Sequence, residues 1–537
     1  MKYNLVHEKW IPIRRQNGER SDIAPWQLTE EHATNPIVAL DSLRPDFNGA
    51  LAQFLLGLLQ TSMAPQNEME WRRINRQPPS PEVLKEKFSA LESAFNLLGS
   101  GPRFLQDQSL KNVEGESLSV ACLLIEYPGE NTTKENKAFF IKGTENFRLS
   151  LPEAAMALFC LQTNAPSGGQ GHRTSLRGGG PLTTLVWAET LWESIWLNVL
   201  PEKEFAHGFV SDKNGLADKF PWMGKLRTSE PKGGRSTYPE DAHPTQYYWA
   251  VPRRIWLIED EPGQAGDGTV GLSQRTIAFY RTVNYGMKYE GAWKHPLSPY
   301  SKKGVDVFAM HPQPGGIGYR HWLGLVVPNG NDKSWVEPAR VARYFLETRG
   351  QRDDRGCRLW AFGYDMDNMK ARCWYEGMMP LVLLQQELRP AFEEKTRSLV
   401  LAADEIARNT QQAVSKVWFS EGAEVKGDLS FVRSVYWSQS EPLFYGHLDD
   451  LKKEIEFPEQ IQPILESWFK DLCRISLTVF DHFALSGGLE FSDPKRIAQA
   501  RQGLDAFNHS RNVKVTLGLP VGAMKLKTRK KKKIKEA

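Results

Sequence analysis

Cysteine is scarce: the 537 residues hold five, Cys122, Cys160, Cys357, Cys373 and Cys473, and no two are spaced as Cys-x-x-Cys. That scatter argues against a zinc ribbon, a redox motif or a disulfide framework, and makes the reducing cytoplasm the expected compartment. Long apolar runs are also missing. No stretch approaches the ~18 uninterrupted apolar residues of a membrane span, and charges interrupt the first ten residues where a signal peptide would need an apolar core. No membrane association is expected. The body of the chain lacks an excess of either charge. Formal net charge is +4, but Lys525, Lys527, Arg529, Lys530, Lys531, Lys532, Lys533 and Lys535 against Glu536 place +7 in the last stretch and leave −3 for the remainder. Nucleic-acid readers usually carry a basic face, so such a function here has to rest on local patches or on a partner that supplies charge.

Catalytic signatures are absent too. There is no His-Glu-x-x-His, no Gly-x-Ser-x-Gly and no Walker A loop; His243, His295 and His311 each precede a proline without a ligand or triad partner at useful spacing. Gly266-Asp267-Gly268-Thr269-Val270-Gly271 has the dinucleotide-loop spacing, but an acidic loop precedes it and no helix pattern follows, so it reads as a hairpin loop. The expectation is a protein that is not an enzyme and takes no cofactor and no metal. The alternative is a nuclease or nucleotide hydrolase whose site is assembled from distant residues.

What is present is a multidomain globular chain, since single cores stop growing at about 250 to 300 residues. The pattern predicts an α+β protein: a large irregular α/β N-terminal domain (1–379), a C-terminal four-helix bundle (380–519) and a basic, disordered tail (520–537). Tyr3–Ile13 reads as a strand returning at Asn17-Gly18, and Leu51, Phe54, Leu55, Leu58 and Leu59 mark a core helix over Ala50–Met63. Leu118–Glu126, Thr183–Trp187 and Arg254–Ile258 read as short strands among loops. From Pro380 glycine and proline thin out, and helical periodicity marks Leu381–Phe419, Leu429–Leu451, Pro458–Leu485 and Pro494–Asn508.

The segment from Asn164 to Pro181 concentrates six glycines with His172, Arg173 and Arg177. Glycines let a backbone approach a phosphate or a groove edge, and interleaved cations supply charge; a flexible surface loop is the equally weighted alternative. Arg358–Tyr364 and Lys370–Tyr375 read as strands around an exposed tip, Asp365 to Met369, which could act as a wedge between base steps or be a plain hairpin. Phe139-Phe140-Ile141-Lys142 sets two aromatics beside a lysine, suited to base stacking or to a core strand. The tail would attract any polyanion, or simply aid solubility.

Asn4-Leu5-Val6 with Trp10-Ile11-Pro12-Ile13, the run Ser175-Leu176-Arg177-Gly178-Gly179 to Pro181-Leu182-Thr183-Thr184, and Trp293 with His295-Pro296 and Ser298-Pro299 together resemble the CasA family, the large subunits of type I-E CRISPR Cascade complexes. The resemblance runs to about Leu519, with Arg433–Gln439 and Trp468–Cys473 similar to the family's second and third bundle helices. It implies a non-catalytic subunit that recognises the protospacer-adjacent motif (PAM) in double-stranded target DNA and starts strand separation for the R-loop. Implied partners are the other Cascade subunits, crRNA and a helicase-nuclease recruited after R-loop formation. By position it implies a PAM-binding loop at Ser167, Gly168, Gly169, Gln170 and Gly171, with Ser167 and Gln170 standing where glycines are usual. It places a strand-separating wedge at Asp367, Asn368 and Met369, a lysine finger at Arg281 or Lys288, and a crRNA-handle loop at Phe139, Phe140 and Lys142. Some relatives bind zinc through two Cys-x-x-Cys pairs that this chain lacks.

Overall fold

The computed structural model describes residues 2–113, 117–129, 132, 135, 137, 147–207, 209, 214–260, 275–331, 333–350, 356–367, 370–419, 428–485 and 493–521. Its contacts divide the chain into two compact units, Met1–Leu383 and Leu384–Ala537. The expected Gly266–Gly271 loop and the tail beyond 521 lie outside the described residues; the strand Thr276–Val283, not a helix, follows that loop and pairs antiparallel with Arg254–Glu259.

The first unit is organised around the helix Pro45–Met63, which starts earlier than Ala50 because Pro45 supplies a first-turn residue with its φ already set. Phe54, on that helix, is fully buried and meets Trp10, Phe95, Phe104, Phe159 and Trp249 edge-on, with ring centroids 5.0 to 5.9 Å apart. Edge-to-face contacts of this kind favour the ring quadrupoles as well as burying area. The expected single strand over Tyr3–Ile13 is two. Asn4 accepts from the Val6 N–H through its side chain and from the His7 and Glu8 N–H groups through its carbonyl, and this turn ends a short strand, Tyr3–Asn4. A second strand, Ile11–Arg15, then forms the centre of a three-stranded antiparallel sheet with Arg20–Ile23 and Ile37–Leu40. Leu118–Glu126 is likewise not one strand; Ser119 caps a 3₁₀ turn over Val120–Leu123.

Three elements frame the glycine segment. The helix Leu151–Asn164 opens on a capping box in which Ser150 Oγ accepts from the Glu153 N–H and the Glu153 carboxylate from the Ser150 N–H, and it packs along Pro45–Met63. After the glycines, Thr183–Trp187 pairs with Arg358–Asp367, which pairs in turn with Lys370–Pro380 in a long hairpin. The third is the strand Thr276–Val283.

The second unit holds the four expected helices, Arg389–Trp418, Ser430–Glu454, Pro458–Leu485 and Pro494–Asn508, followed by a short fifth, Arg511–Thr516. Its first helix begins at Arg389 rather than Leu381, with Pro390 in its first turn, while the Leu381 N–H still donates to the Cys357 carbonyl at the root of the hairpin. Asp493 caps the fourth helix by accepting from the Lys495 and Arg496 N–H groups.

Candidate nucleic-acid interface

The segment from 164 to 181 is a closed, internally bonded loop. At its base the Gly180 N–H donates to the Asn164 carbonyl at 3.1 Å, the Ser175 N–H to the Ala165 carbonyl at 3.1 Å, and Ser175 Oγ to the Gly178 carbonyl at 2.5 Å. Between these ties, residues 166–174 project.

The six glycines divide accordingly. Gly178, Gly179 and Gly180 serve packing: side chains there would press on His311, on the Pro166 backbone and on Tyr364 with Met366. Gly178 (φ +92°) and Gly180 (φ +61°) also take the left-handed conformation that only glycine adopts freely. In the projecting half, Gly168 faces His172, and Gly171 (φ +80°) lies against Asn284 and Tyr285. Gly169 has nothing within 4 Å of where a Cβ would sit, and it is exposed together with Gln170.

The projecting half is pinned from three directions. The Tyr285 N–H donates to the Gly171 carbonyl at 2.8 Å, and Asn284 Nδ2 to the Gln170 carbonyl at 2.9 Å. Arg253 reaches the Pro166 carbonyl at 2.5 Å and His172 Nδ1 at 2.6 Å. Arg173 donates through Nε to Ser229 Oγ at 2.7 Å and lies over the Tyr285 ring. Burial pushes Arg253 down to about 10, which leaves it a cation at neutral pH. Partial desolvation, helped by the Arg253 charge, lowers His172, so its Nδ1 acts as an acceptor.

Arg177 does not supply charge to a ligand, contrary to expectation. It is buried, and its guanidinium donates to Gln53 Oε1 at 2.7 Å, Thr183 Oγ1 at 2.9 Å and Ser298 Oγ at 3.1 Å, tying the loop's base to the central helix. Burial lowers it to about 10.

Both lysine-finger candidates lie on the stretch that pins the loop. Arg281, on Thr276–Val283, donates to the Lys111 carbonyl at 2.7 Å, while Lys288 pairs with Glu290, whose carboxyl that bond lowers to about 2. The hairpin is reached from the other side, through the contact of Gly180 with Tyr364 and Met366. Its tip is narrower than expected. The strands run to Asp367 and from Lys370, so Asp365 and Met366 belong to a strand; Asp365 is buried and held bidentately by Arg372 at 2.7 and 3.1 Å. Asp367 is exposed at the end of its strand; Asn368 and Met369 lie outside the described residues, as do Phe139, Phe140 and Lys142.

The structure thus brings the glycine loop, the stretch from Arg281 to Lys288 and the tip end of the long hairpin into one neighbourhood. Sequence reasoning missed Arg253, Asn284, Tyr285 and Ser229, which hold the loop in place. The one sequence signal was the turn-forming Asn284-Tyr285-Gly286; that the left-handed residue there is Tyr285 (φ +66°) rather than the glycine was not readable. None of the five cysteines is in a disulfide among the described residues, which also contain no group of three His, Cys, Asp or Glu placed to hold a metal.

The fold that carries this braced loop is shared with solved CRISPR-associated Cse1 and CasA structures. The chain is similar to Cse1 of Thermobifida fusca (TM-score 0.70, 15% identity, 96% of this chain and 98% of that one). It is similar to CasA of Thermus thermophilus (0.68, 17%, 94% and 100%) and to a chain of a CRISPR RNA-guided surveillance complex (0.68, 16%, 95% and 100%). Residues 4–479 match the family described as CRISPR-associated protein Cse1, and the chain belongs to that family.

Proposed function

We propose that the chain is the non-catalytic large subunit of a type I-E RNA-guided DNA surveillance complex in the cytoplasm, and that it recognises the PAM in duplex DNA through the loop Ser167–Gly171. The observation that carries this reading is the contrast at Gly169: the backbone is open to solvent at the tip while hydrogen bonds fix it on either side. A rigid backbone edge without side chains suits the narrow minor groove, where the base code is mainly A·T against G·C. Gln170 adds an amide that can donate and accept there. Arg281 or Lys288 supplies the finger cation, and the tip at Asp367, Asn368 and Met369 enters the opened base step.

On this reading base pairing with the guide then reads sequence, as in another RNA-guided system. The loop at Phe139, Phe140 and Lys142 meets the crRNA handle and neighbouring subunits, and the bundle steadies the displaced strand and helps recruit a helicase-nuclease.

The test compares duplex binding by the assembled complex across PAM variants. Gly169→Asp should weaken binding to the favoured motif by about tenfold or more, since it puts a carboxylate and its bulk at the groove. Asn368→Ala should leave initial binding in place and slow strand opening, read by a fluorescent base analogue beside the motif. Equal binding to every motif, untouched by Gly169→Asp and with strand opening unchanged in Asn368→Ala, rules the reading out.

A further inference from the structure

Next to the glycine loop lies a second, smaller loop that neither the sequence motifs nor the proposed function uses. Residues 229–235, Ser-Glu-Pro-Lys-Gly-Gly-Arg, form a tight turn in which the Gly234 N–H donates to the Glu230 carbonyl at 3.2 Å and the Arg235 N–H to the Thr228 carbonyl at 2.9 Å. Glycine is required twice: Gly233 has φ +79°, and a side chain on Gly234 would overlap the Glu230 backbone. The turn holds its outer residues in one conformation.

Those outer residues are cations. Lys232 and Arg235 are exposed, and among the described residues neither side chain has an ion-pair partner. The one acid of the turn, Glu230, is taken by Arg254 Nη1 at 2.7 Å, and Arg254 Nε is held by Asp107 at 2.6 Å. Lys232 and Arg235 thus place two unneutralised cations three residues apart on one turn, in a chain whose body carries a formal −3 before its basic tail.

Tyr285 sets the turn's position. Its N–H donates to the Gly171 carbonyl at 2.8 Å, and its own carbonyl accepts from the Ser229 N–H at 3.1 Å, so one residue holds both loops. Arg173 repeats the link from loop to turn through Ser229, and Ser229 Oγ donates to the Gly286 carbonyl at 2.8 Å. A left-handed tyrosine (φ +66°) is uncommon, and here the backbone bonds on either side of it hold that conformation.

We infer that Lys232 and Arg235 form a phosphodiester-binding site that grips the DNA backbone beside the groove read by the glycine loop. The inference rests on the proposed function for the identity of its ligand. Backbone contacts of this kind fix register and carry no sequence information, and each releases counterions.

The test uses the assembled complex and the double variant K232Q/R235Q, whose positions are exposed, with duplex affinity measured over a salt series on favoured and disfavoured motifs. The expected result is a log-affinity against log-salt slope shallower by roughly 1 to 2, at ~0.9 per phosphate, with the same fold-loss on both motifs and the motif preference kept. Gly234→Val, which keeps both cations and breaks the turn, should lose affinity in the same motif-independent way. An unchanged slope in the double variant, or a loss confined to one motif, overturns the inference. Weakened association with the crRNA-bearing subunits at an unchanged duplex slope also overturns it and assigns the turn to RNA phosphates. If instead the wild-type complex shows no motif preference, the proposed function fails, while the slope still decides whether the turn binds phosphate.

Discussion

Arg177 and Gln170 are indistinguishable by type from other polar residues of a glycine-rich run, yet burial gives them opposite roles. Arg177 has three neutral acceptors and no carboxylate, so its removal leaves Gln53, Thr183 and Ser298 with lost donors in a closed site. Arg177→Met should destabilise the first unit by about 3 kcal/mol, given that each hydrogen bond to a charged group contributes about 1.5–3 kcal/mol, and would be seen as a lower denaturant midpoint. Histidines supply a second residue-scale expectation. Burial, reinforced by Lys219, holds His243 down to about 4; burial and Arg320 hold His321 down to about 3; and burial with Arg177 holds His295 well below the usual 6.5. The unfolded chain therefore binds protons on these rings below pH 6.5 that the native state does not accept until lower pH. Stability falls as pH drops through 6.5, and melting temperatures measured between pH 7 and pH 5 should decrease steadily. A melting temperature flat over that range contradicts the burial of these rings. None of this is visible in sequence, where His295-Pro296 reads as a loop pair; the ring sits among Tyr247, Tyr248 and the Tyr247 carbonyl, contributed from far along the chain.

Elements differ in how far local pattern dictates them. In the second unit the apolar residues of Pro458–Leu485 repeat at helical spacing; Leu465, Trp468, Phe469, Leu472, Ile475, Val479 and Phe480 are buried while Leu477 and Phe483 are half-buried, so periodicity located that helix. In the first unit the strands are short and are set by partners remote in sequence, as Tyr3–Asn4 is by Asn96–Leu98, so boundaries such as Ile13 and Glu126 were misread. The long hairpin lies between these cases: its two strands were readable on either side of the turn formers, but not the anchor beneath its tip. Tyr364 donates to Asp46 Oδ2 at 2.7 Å, and Arg44 holds the same carboxylate at 2.9 Å. Tyr364→Phe removes one bond from a buried acid and should cost about 1–2 kcal/mol. Because the tip is carried on that strand, the variant should also slow strand opening in the assembled complex while leaving motif preference intact; faster or unchanged opening would separate the anchor from the wedge.

At the scale of the whole molecule, net charge gives little guidance to function, because ion pairs consume many of the surface cations and the basic tail masks a slightly acidic body. What stands out is a local arrangement, in which Tyr285 joins the glycine loop to the Lys232–Arg235 turn and Gly180 joins it to the hairpin. The glycine run and the hairpin could each be found in the sequence, but their adjacency depends on folding across more than a hundred residues. On the proposed function the loop tip touches duplex DNA. A photoreactive amino acid placed at Gln170, which is exposed and whose carbonyl is held by Asn284, tests it most directly in the assembled complex. Crosslinks should fall on the base pairs at the PAM, on the minor-groove side, and should disappear when the motif is replaced. Crosslinks spread evenly along the duplex, or found only on protein subunits, would contradict the account.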